Sequence, residues 1–419
     1  MTGQAIQSNV DVTLLVAPQT DLWTPAATGD AATTLRRISS GLTPTKASFT
    51  SNEVRQDQQI SDMRHGMRSG RGPIAGELSC VSYDAFLGGA MRNVFTNGVS
   101  AAPADFATGV TGTTPSAGVA QLDFAGAGSL ITKGFKVGDV VRLSGLTGGA
   151  AVCNGLNLRV TAVTSVRLTA AIPEDSPFAA FAQVAAGWTL RVQGRKAING
   201  LLKPAFTVEQ LFGELSASEL FTGVRVGAMS LNAPPTAIAD VSFDLTARDF
   251  DLLDGDAGDA ASPYFTAPAA QGASSLMAGV DGAIRMRAGD RGIVTGFSLN
   301  LNQNVTETAV VGSKVTPDLF YGRAIVTGQV TALLDSFELM RAFVDEEEID
   351  LSAMFQSAPV AGAQDFVSFS MQRVKLSAGS HQIGADGGVV AQFPFQALLK
   401  AGGSGTAYDQ TTLAIQQST

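Results

Sequence analysis

Two stretches of this chain, roughly 250 residues apart, carry one pattern: "GRGPIAGELSCVSYDAFLGGAMRNVF" (70–95) and "GRAIVTGQVTALLDSFELMRAFV" (322–344). Each opens on a Gly-Arg turn and runs strand-like through a Gly. Each then has Asp-x-Phe heading a short apolar segment that closes on Met-Arg and a Phe. Whether this is chance or duplication depends on what flanks the two copies.

Four segments alternate with period two, as strands do when they bury one face and wet the other. "ADVSFDLTARD" places Val241, Phe243, Leu245 and Ala247 on one face and Ser242, Asp244, Thr246 and Arg248 on the other. "TGFSLNLNQN" sets Phe297, Leu299 and Leu301 against Ser298, Asn300 and Asn302. In "VVAQFPFQALL", Val389, Ala391, Phe393, Phe395 and Ala397 share a face, and Pro394, which lacks a donor, belongs at an edge or bulge. "GPIAGELSC" sets Ile74, Leu78 and Cys80 against Glu77 and Ser79. Two segments read as helix: 84–95 with Asp84 as N-cap and Leu87, Met91 and Phe95 on one face, and 335–344 with Asp335 as N-cap and Phe337, Met340 and Phe343 inward.

The order then repeats. A hairpin (about 42–82), a helix and a late hairpin (221–249) are followed by a hairpin (about 294–333), a helix and a late hairpin (367–399). One β-β-α-β-β plan used twice accounts for both copies. The first copy is interrupted near 99–198 by a Gly/Ala/Thr-rich link and short strand signals such as "GFKVGDVVRLSGL" and "NLRVTAVTSVRLTAA", which read as a small inserted β-barrel or β-sandwich. The expected organisation is repeat A in 1–98 and 199–250, an inserted outer domain in 99–198, a linker in 251–275 and repeat B in 276–419. The fold class is mainly β, each repeat a sandwich or half-barrel with one flanking helix.

Composition agrees and excludes much chemistry. Only 16% of residues are charged while Gly numbers 46, a turn-rich balance rather than that of charged amphipathic helices. A net charge of −9 disfavours tight nucleic-acid binding, although it suits DNA that must slide without sticking. Cys80 and Cys153, far apart and without CxxC, read as free thiols of a reducing cytoplasm. The first twenty residues lack the basic region of a secretory signal, and no apolar run reaches the ~20 residues needed to span a membrane. His65 and His381 sit in polar turns with no Cys, Asp or Glu at metal-ligand spacing, and read as surface loop residues. "GGSGT" (402–406) lacks a P-loop Lys, and "GRGPIAG" has the wrong glycine spacing for a dinucleotide loop. "DFDLLDGDAGD" (249–259) departs from EF-hand spacing and reads as a solvated linker, and "DEEEID" (345–350) as an exposed turn. No enzyme, cofactor or metal is expected.

Taken in order, "RISSGLTPTKASFTSNEVR", "GRGPIAGELSCVSYDAFLGGAMR", "FTGVRVGAMSLNAPPTAIADVSFDLTARD", "VVGSKVTPDLFYGRAIVTGQVTALL" and "QFPFQALL" resemble the tail tube proteins of bacteriophages with long, non-contractile tails. The resemblance covers nearly the whole chain except 99–198. It implies a virion structural protein, assembled in the host bacterial cytoplasm, whose six-unit rings stack into a hollow tube. A chain with two units then needs three copies per ring, a homotrimer with pseudo-six-fold symmetry. The implied partners are further copies of itself, a tape measure protein in the lumen, a tail terminator and distal tail or baseplate proteins at the ends, and DNA in non-specific passage, with no membrane insertion.

Closing six open-edged units into one barrel would leave a channel. The polar strand faces are then the lumen candidates: Glu77, Ser79, Asp244, Thr246, Ser298, Asn300, Asn302, Gln329, Thr331, Gln392 and Gln396. Outer solvent is the alternative surroundings for some of them. Two loops too long for tight turns, 52–71 and 302–323, are expected to bridge successive rings, through Arg55, Asp57, Asp62, Arg64 and Arg68 and through Glu307, Lys314 and Asp318. The competing function classes are a β-sandwich adhesin that never forms tubes, and a carbohydrate-active enzyme, for which no carboxylate pair stands out.

Overall fold

The computed structural model describes residues 6–106, 109–172, 177–254, 261–286, 289–290, 293–357, 364–383 and 386–419. Among these, most strands fall into a 19-stranded and an 8-stranded sheet. The main strands of the larger sheet are β1 (Val12–Gln19), β2 (Ser39–Ser40), β3 (Thr43–Thr50), β4 (Met63–Glu77), β5 (Ala205–Phe212), β6 (Ala217–Ala233) and β7 (Asp240–Leu253). They continue with β8 (Gly282–Met286), β9 (Val294–Asn302), β10 (Ile325–Leu333), β11 (Ile349–Gln356), β12 (Phe366–Leu376), β13 (Ser380–Gln382), β14 (Val390–Ala397) and β15 (Ala414–Gln417).

These strands form two antiparallel ladder series. In the first, β1 pairs β5, β5 pairs β6, β6 pairs β7, β7 pairs β4, and β4 pairs β2 and β3. In the second, β8 pairs β11, then β12, β14, β10 and β9 follow. The series meet where β6 pairs β9, with Leu231 opposite Leu299. β15 pairs on one side with β12 and on the other with the short strand Arg195–Ile198, which in turn pairs with Thr96–Asn97.

The alternating residues do what their period demands. Ile74, Val241, Phe243, Leu245, Phe297, Leu299, Leu301, Phe393 and Phe395 are all at most 2% exposed and belong to one core. Each such side chain contributes about 1.5–3 kcal/mol by burial. Tyr83, Phe86 and Phe243 cluster there with ring centroids 5.4–5.7 Å apart. Pro394 falls between the end of β12 and β13, where the ladder on that side of β14 breaks, so its missing N–H leaves no strand partner wanting.

Both helices follow the first hairpin of their series, but their starts differ from expectation. α1 (Asp84–Met91) has Tyr83 as N-cap, and Arg92 ends it in the left-handed region at φ 51°. Asp84 does not cap: its carboxylate accepts from Arg195 Nη2 at 2.6 Å and Gln417 Nε2 at 2.8 Å. Phe95 lies outside the helix, beyond Met91. α2 (Glu338–Val344) begins after Phe337, not at Asp335, and Phe337 points outward at 61% exposure. The expected linker also starts late, because β7 runs to Leu253 and its Asp249 and Asp251 pair with Arg68. Residues 255–259 of the acidic run lie outside the described residues.

The eight-stranded sheet is built from residues between Ser100 and Val192 and has its own core, with Trp188, Phe106, Phe124, Leu143 and Leu190 within it. It is fastened to the larger sheet by polar contacts. Gln416 Nε2 donates to Val140 O and its Oε1 accepts from Val140 N, each at 2.8 Å. Lys196 Nζ reaches Asp139 at 2.6 Å and Asp409 at 2.8 Å. Cys80 and Cys153 are free and buried. Among the described residues no helix is long and apolar enough to cross a membrane.

Candidate functional site

The strand faces opposite the core join into one continuous polar surface. Its central row crosses eight strands: Ser39, Ala75, Ser242, Ser230, Asn300, Thr327, Gln396 and Lys375 stand opposite one another in turn. A second row runs Glu77, Asp240, Asn232, Ser298, Gln329 and Pro394. A third brings Pro73, Asp244, Ala228, Asn302 and Ile325 together. Thr331, Gln392 and Ser380 form a shorter row above. The rows exist because side chains alternate strictly, so matched parity on every strand keeps polar residues on one side.

Nine of the eleven lumen candidates therefore share this surface. Ser79 and Thr246 do not. Ser79 is fully buried in the turn before α1, where its Oγ lies 2.7 Å from Ser82 Oγ. Thr246 is buried between Arg71 and Arg225. Period two carried both onto the wet side, but the strand ends at Glu77 before it reaches Ser79, and the two arginines that flank Thr246 are held by Glu307 and Asp318. Ser230, Asn232, Asp240 and Lys375 occupy the rows although reasoning from sequence passed over them; the alternation in "GAMSLNA" was the available signal for Ser230 and Asn232, and that in "ADVSFDLTARD" for Asp240. The three rows carry carboxylates at Glu77, Asp240 and Asp244, and one ammonium, Lys375, which lies 3.7 Å from Glu346. Such a face offers phosphate almost no cationic foothold.

The loop candidates split in two. Arg55 with Asp57 and Arg64 with Asp62 form exposed pairs at 3.1 Å, out along the hairpin of β3 and β4. The hydrogen bond from Arg55 holds the Asp57 carboxyl below its usual range. The others anchor the loops to the body. Arg68 Nε is 2.6 Å from Asp249, Glu307 faces Arg71 at 3.8 Å, and Lys314 O accepts from Arg68 N. Asp318 pairs with Arg225 at 2.9 Å and with Lys203 at 3.7 Å. Tyr321 completes this contact, its ring between the guanidinium groups of Arg92 at 4.5 Å and Arg225 at 5.3 Å, and burial pushes its hydroxyl up to about 12. Residues so distant in the chain leave no local trace of the stack.

No cluster of three or more metal-ligating side chains occurs among the described residues. No curated protein matches the sequence. One family model does, described as phage tail tube protein, and it matches residues 9–397, both ladder series and the eight-stranded sheet inserted in the first included. The chain belongs to the phage tail tube protein family, whose members are structural, non-catalytic components of the virion.

Proposed function

We propose that this chain is a two-repeat tube subunit, three copies of which close a pseudo-hexameric ring that stacks into the hollow tail tube. The observation that carries the reading is the matched register of the two ladder series. Gly76 stands opposite Val241 as Gly328 stands opposite Phe395, and Ser39 opposite Ala75 as Asn300 opposite Thr327. Residues 1–98 with 199–253 and residues 276–419 are then two copies of one unit, joined by a linker that starts after Leu253 and runs to 275, with 99–198 inserted in the first and projecting outward.

The eight strands crossed by the central polar row supply four per repeat. Three chains give ~24 strands, and at ~4.8 Å spacing and ~40° tilt the backbone barrel is roughly 48 Å across, wide enough for a double helix. The polar rows line that lumen, which encloses the tape measure protein before ejection and conducts DNA during it. Tail terminator and distal tail proteins hold the ends, and assembly takes place in the host cytoplasm. The exposed arm end with Arg55, Asp57, Asp62 and Arg64 contacts the next ring.

Light scattering after size exclusion, with negative-stain images of the same fractions, tests this. Trimers with six lobes around a hole, or stacked hollow tubes, are expected. Hexameric rings would remove the pseudo-symmetry, and a monomer that never forms rings at any concentration would favour an adhesin.

A further inference from the structure

The junction between the two series is a template for a junction between chains. Within one chain, residues 228–233 of β6 pair with residues 297–302 of β9, and Leu231 and Leu299 are each 1% exposed there. The matched registers give the counterparts of these two strands. Leu376 stands opposite Phe395 as Leu231 stands opposite Val241, so the end of β12 corresponds to the β6 side. Residues 38–40, including β2, correspond to the β9 side.

Both counterparts have an open edge. The ladder from β12 to β11 stops at Val374 opposite Ile349, so Lys375 and Leu376 pair only with β14. β2 and β3 pair only with β4. Ile38, the counterpart of the buried Leu299, is 57% exposed. A residue that is core at the internal junction is thus left in water at the equivalent place, on a strand that lacks a neighbour.

The chain beyond the junction repeats the argument. Past β9 it crosses the C-terminal end of α1, where Gln303 Nε2 donates to Ala90 O and Tyr321 stacks on Arg92. The equivalent segment past β2 is the arm formed by β3 and β4, with Phe49 at 62% and Ile60 at 73% exposure. The equivalent helix, α2, leaves Phe337 at 61% and Val344 at 74%.

We infer that residues 38–40 of one copy add antiparallel to the free edge at 375–377 of the next copy, in the register of the internal junction. Leu376 then faces Ile38 and Lys375 faces Ser39 of the neighbour, and the arm covers α2. This rests on the ring reading and names the strands that close the ring.

Chains carrying Ser39→Cys and chains carrying Lys375→Cys are made separately, mixed and oxidised. Seven strand spacings of ~4.8 Å, roughly 34 Å, separate the two positions within a chain, so a disulfide between them joins two chains. The expected products are a covalent dimer from the mixture and a ladder ending at three chains from the double variant. Ser230→Cys with Asn300→Cys, the internal pair of the same register, serves as the control and loses its two added thiols without changing chain number. Rings in negative stain with a closed control but no interchain link would overturn the junction and leave the ring reading standing. Absence of rings in the parent protein would overturn both. Ile38→Asp gives an independent readout: rings should be lost with thermal unfolding of the monomer unchanged, because the side chain is exposed there. Parent-like rings from that variant would refute the proposal.

Discussion

Replacing Lys196 with Met should destabilise the chain by about 3–5 kcal/mol, because it strands two buried carboxylates. Lys196 Nζ lies 2.6 Å from Asp139 and 2.8 Å from Asp409, with side-chain exposures of 17%, 2% and 16%. Burial pushes the Asp139 carboxyl up even with the ammonium beside it. Burial also works against the Lys196 charge, but Asp139 and Asp409 outweigh it and hold the group protonated. Without Lys196 the two carboxylates face each other in a site with little water, and the folded state can keep them only by taking up a proton. Their folded pKa values then lie above the unfolded ~3.9. A raised carboxyl penalises the folded state above its folded pKa, and the penalty shrinks as pH falls. The gap between parent and variant should therefore be wide at pH 8 and narrower at pH 5. Urea unfolding followed by fluorescence reads it well, since Trp188 sits in the core of the eight-stranded sheet that Asp139 adjoins. Lys196→Met with Asp139→Asn and Asp409→Asn removes all three charges and should recover most of the loss. A single variant within about 0.5 kcal/mol of the parent, the range of ordinary surface changes, would refute the reasoning, as would a gap that does not depend on pH.

Other outcomes follow from the same contacts. Gly328→Ala brings a Cβ to 2.3 Å from Ser298 O, a backbone atom that cannot turn aside, and should cost at least about 1–3 kcal/mol in thermal unfolding. Tyr83, whose hydroxyl donates to Arg36 O at 3.0 Å, is pushed up by burial to about 12, as is Tyr321. The stability they confer is complete below pH 10 and is lost as pH rises toward 12, so phenolate absorbance from both should appear only with alkaline unfolding. Phenolate signal at pH 10 from a fully folded chain that is lost in the Tyr83→Phe or Tyr321→Phe variant would contradict this. Glu77→Lys with Asp244→Lys puts cations on the polar rows and should slow DNA ejection more at low salt than at high salt; unchanged kinetics would remove the lumen assignment. Deleting only the arm end, residues 55–62, should leave rings, since β2 and the base of the arm are kept, but prevent long tubes, as counted by negative stain.

Much of the fold was legible because burial leaves its mark one residue at a time. Val241, Phe243 and Leu245 alternate with Ser242 and Asp244 whatever strand lies beside them, so the wet face could be assigned before any pairing was known. Helix starts were less legible. N-capping is worth only about 1 kcal/mol, and at Asp84 an Arg195 and a Gln417 more than 100 residues away compete for the same carboxylate. Ser79 failed for a similar reason, since its alternation is cut short by a turn that the strand pattern does not announce.

By itself the sequence determined the mainly β class of structure and the parity of most of its strands. Only the tertiary structure decided which strand neighbours which, and so that the two series share a register, that they meet where β6 pairs β9, and that Lys196 lies between Asp139 and Asp409. The physical reason is that backbone hydrogen bonds are the same for every residue. A ladder records no sequence of its own, and a contact between residues distant along the chain exists only once the chain has closed on itself.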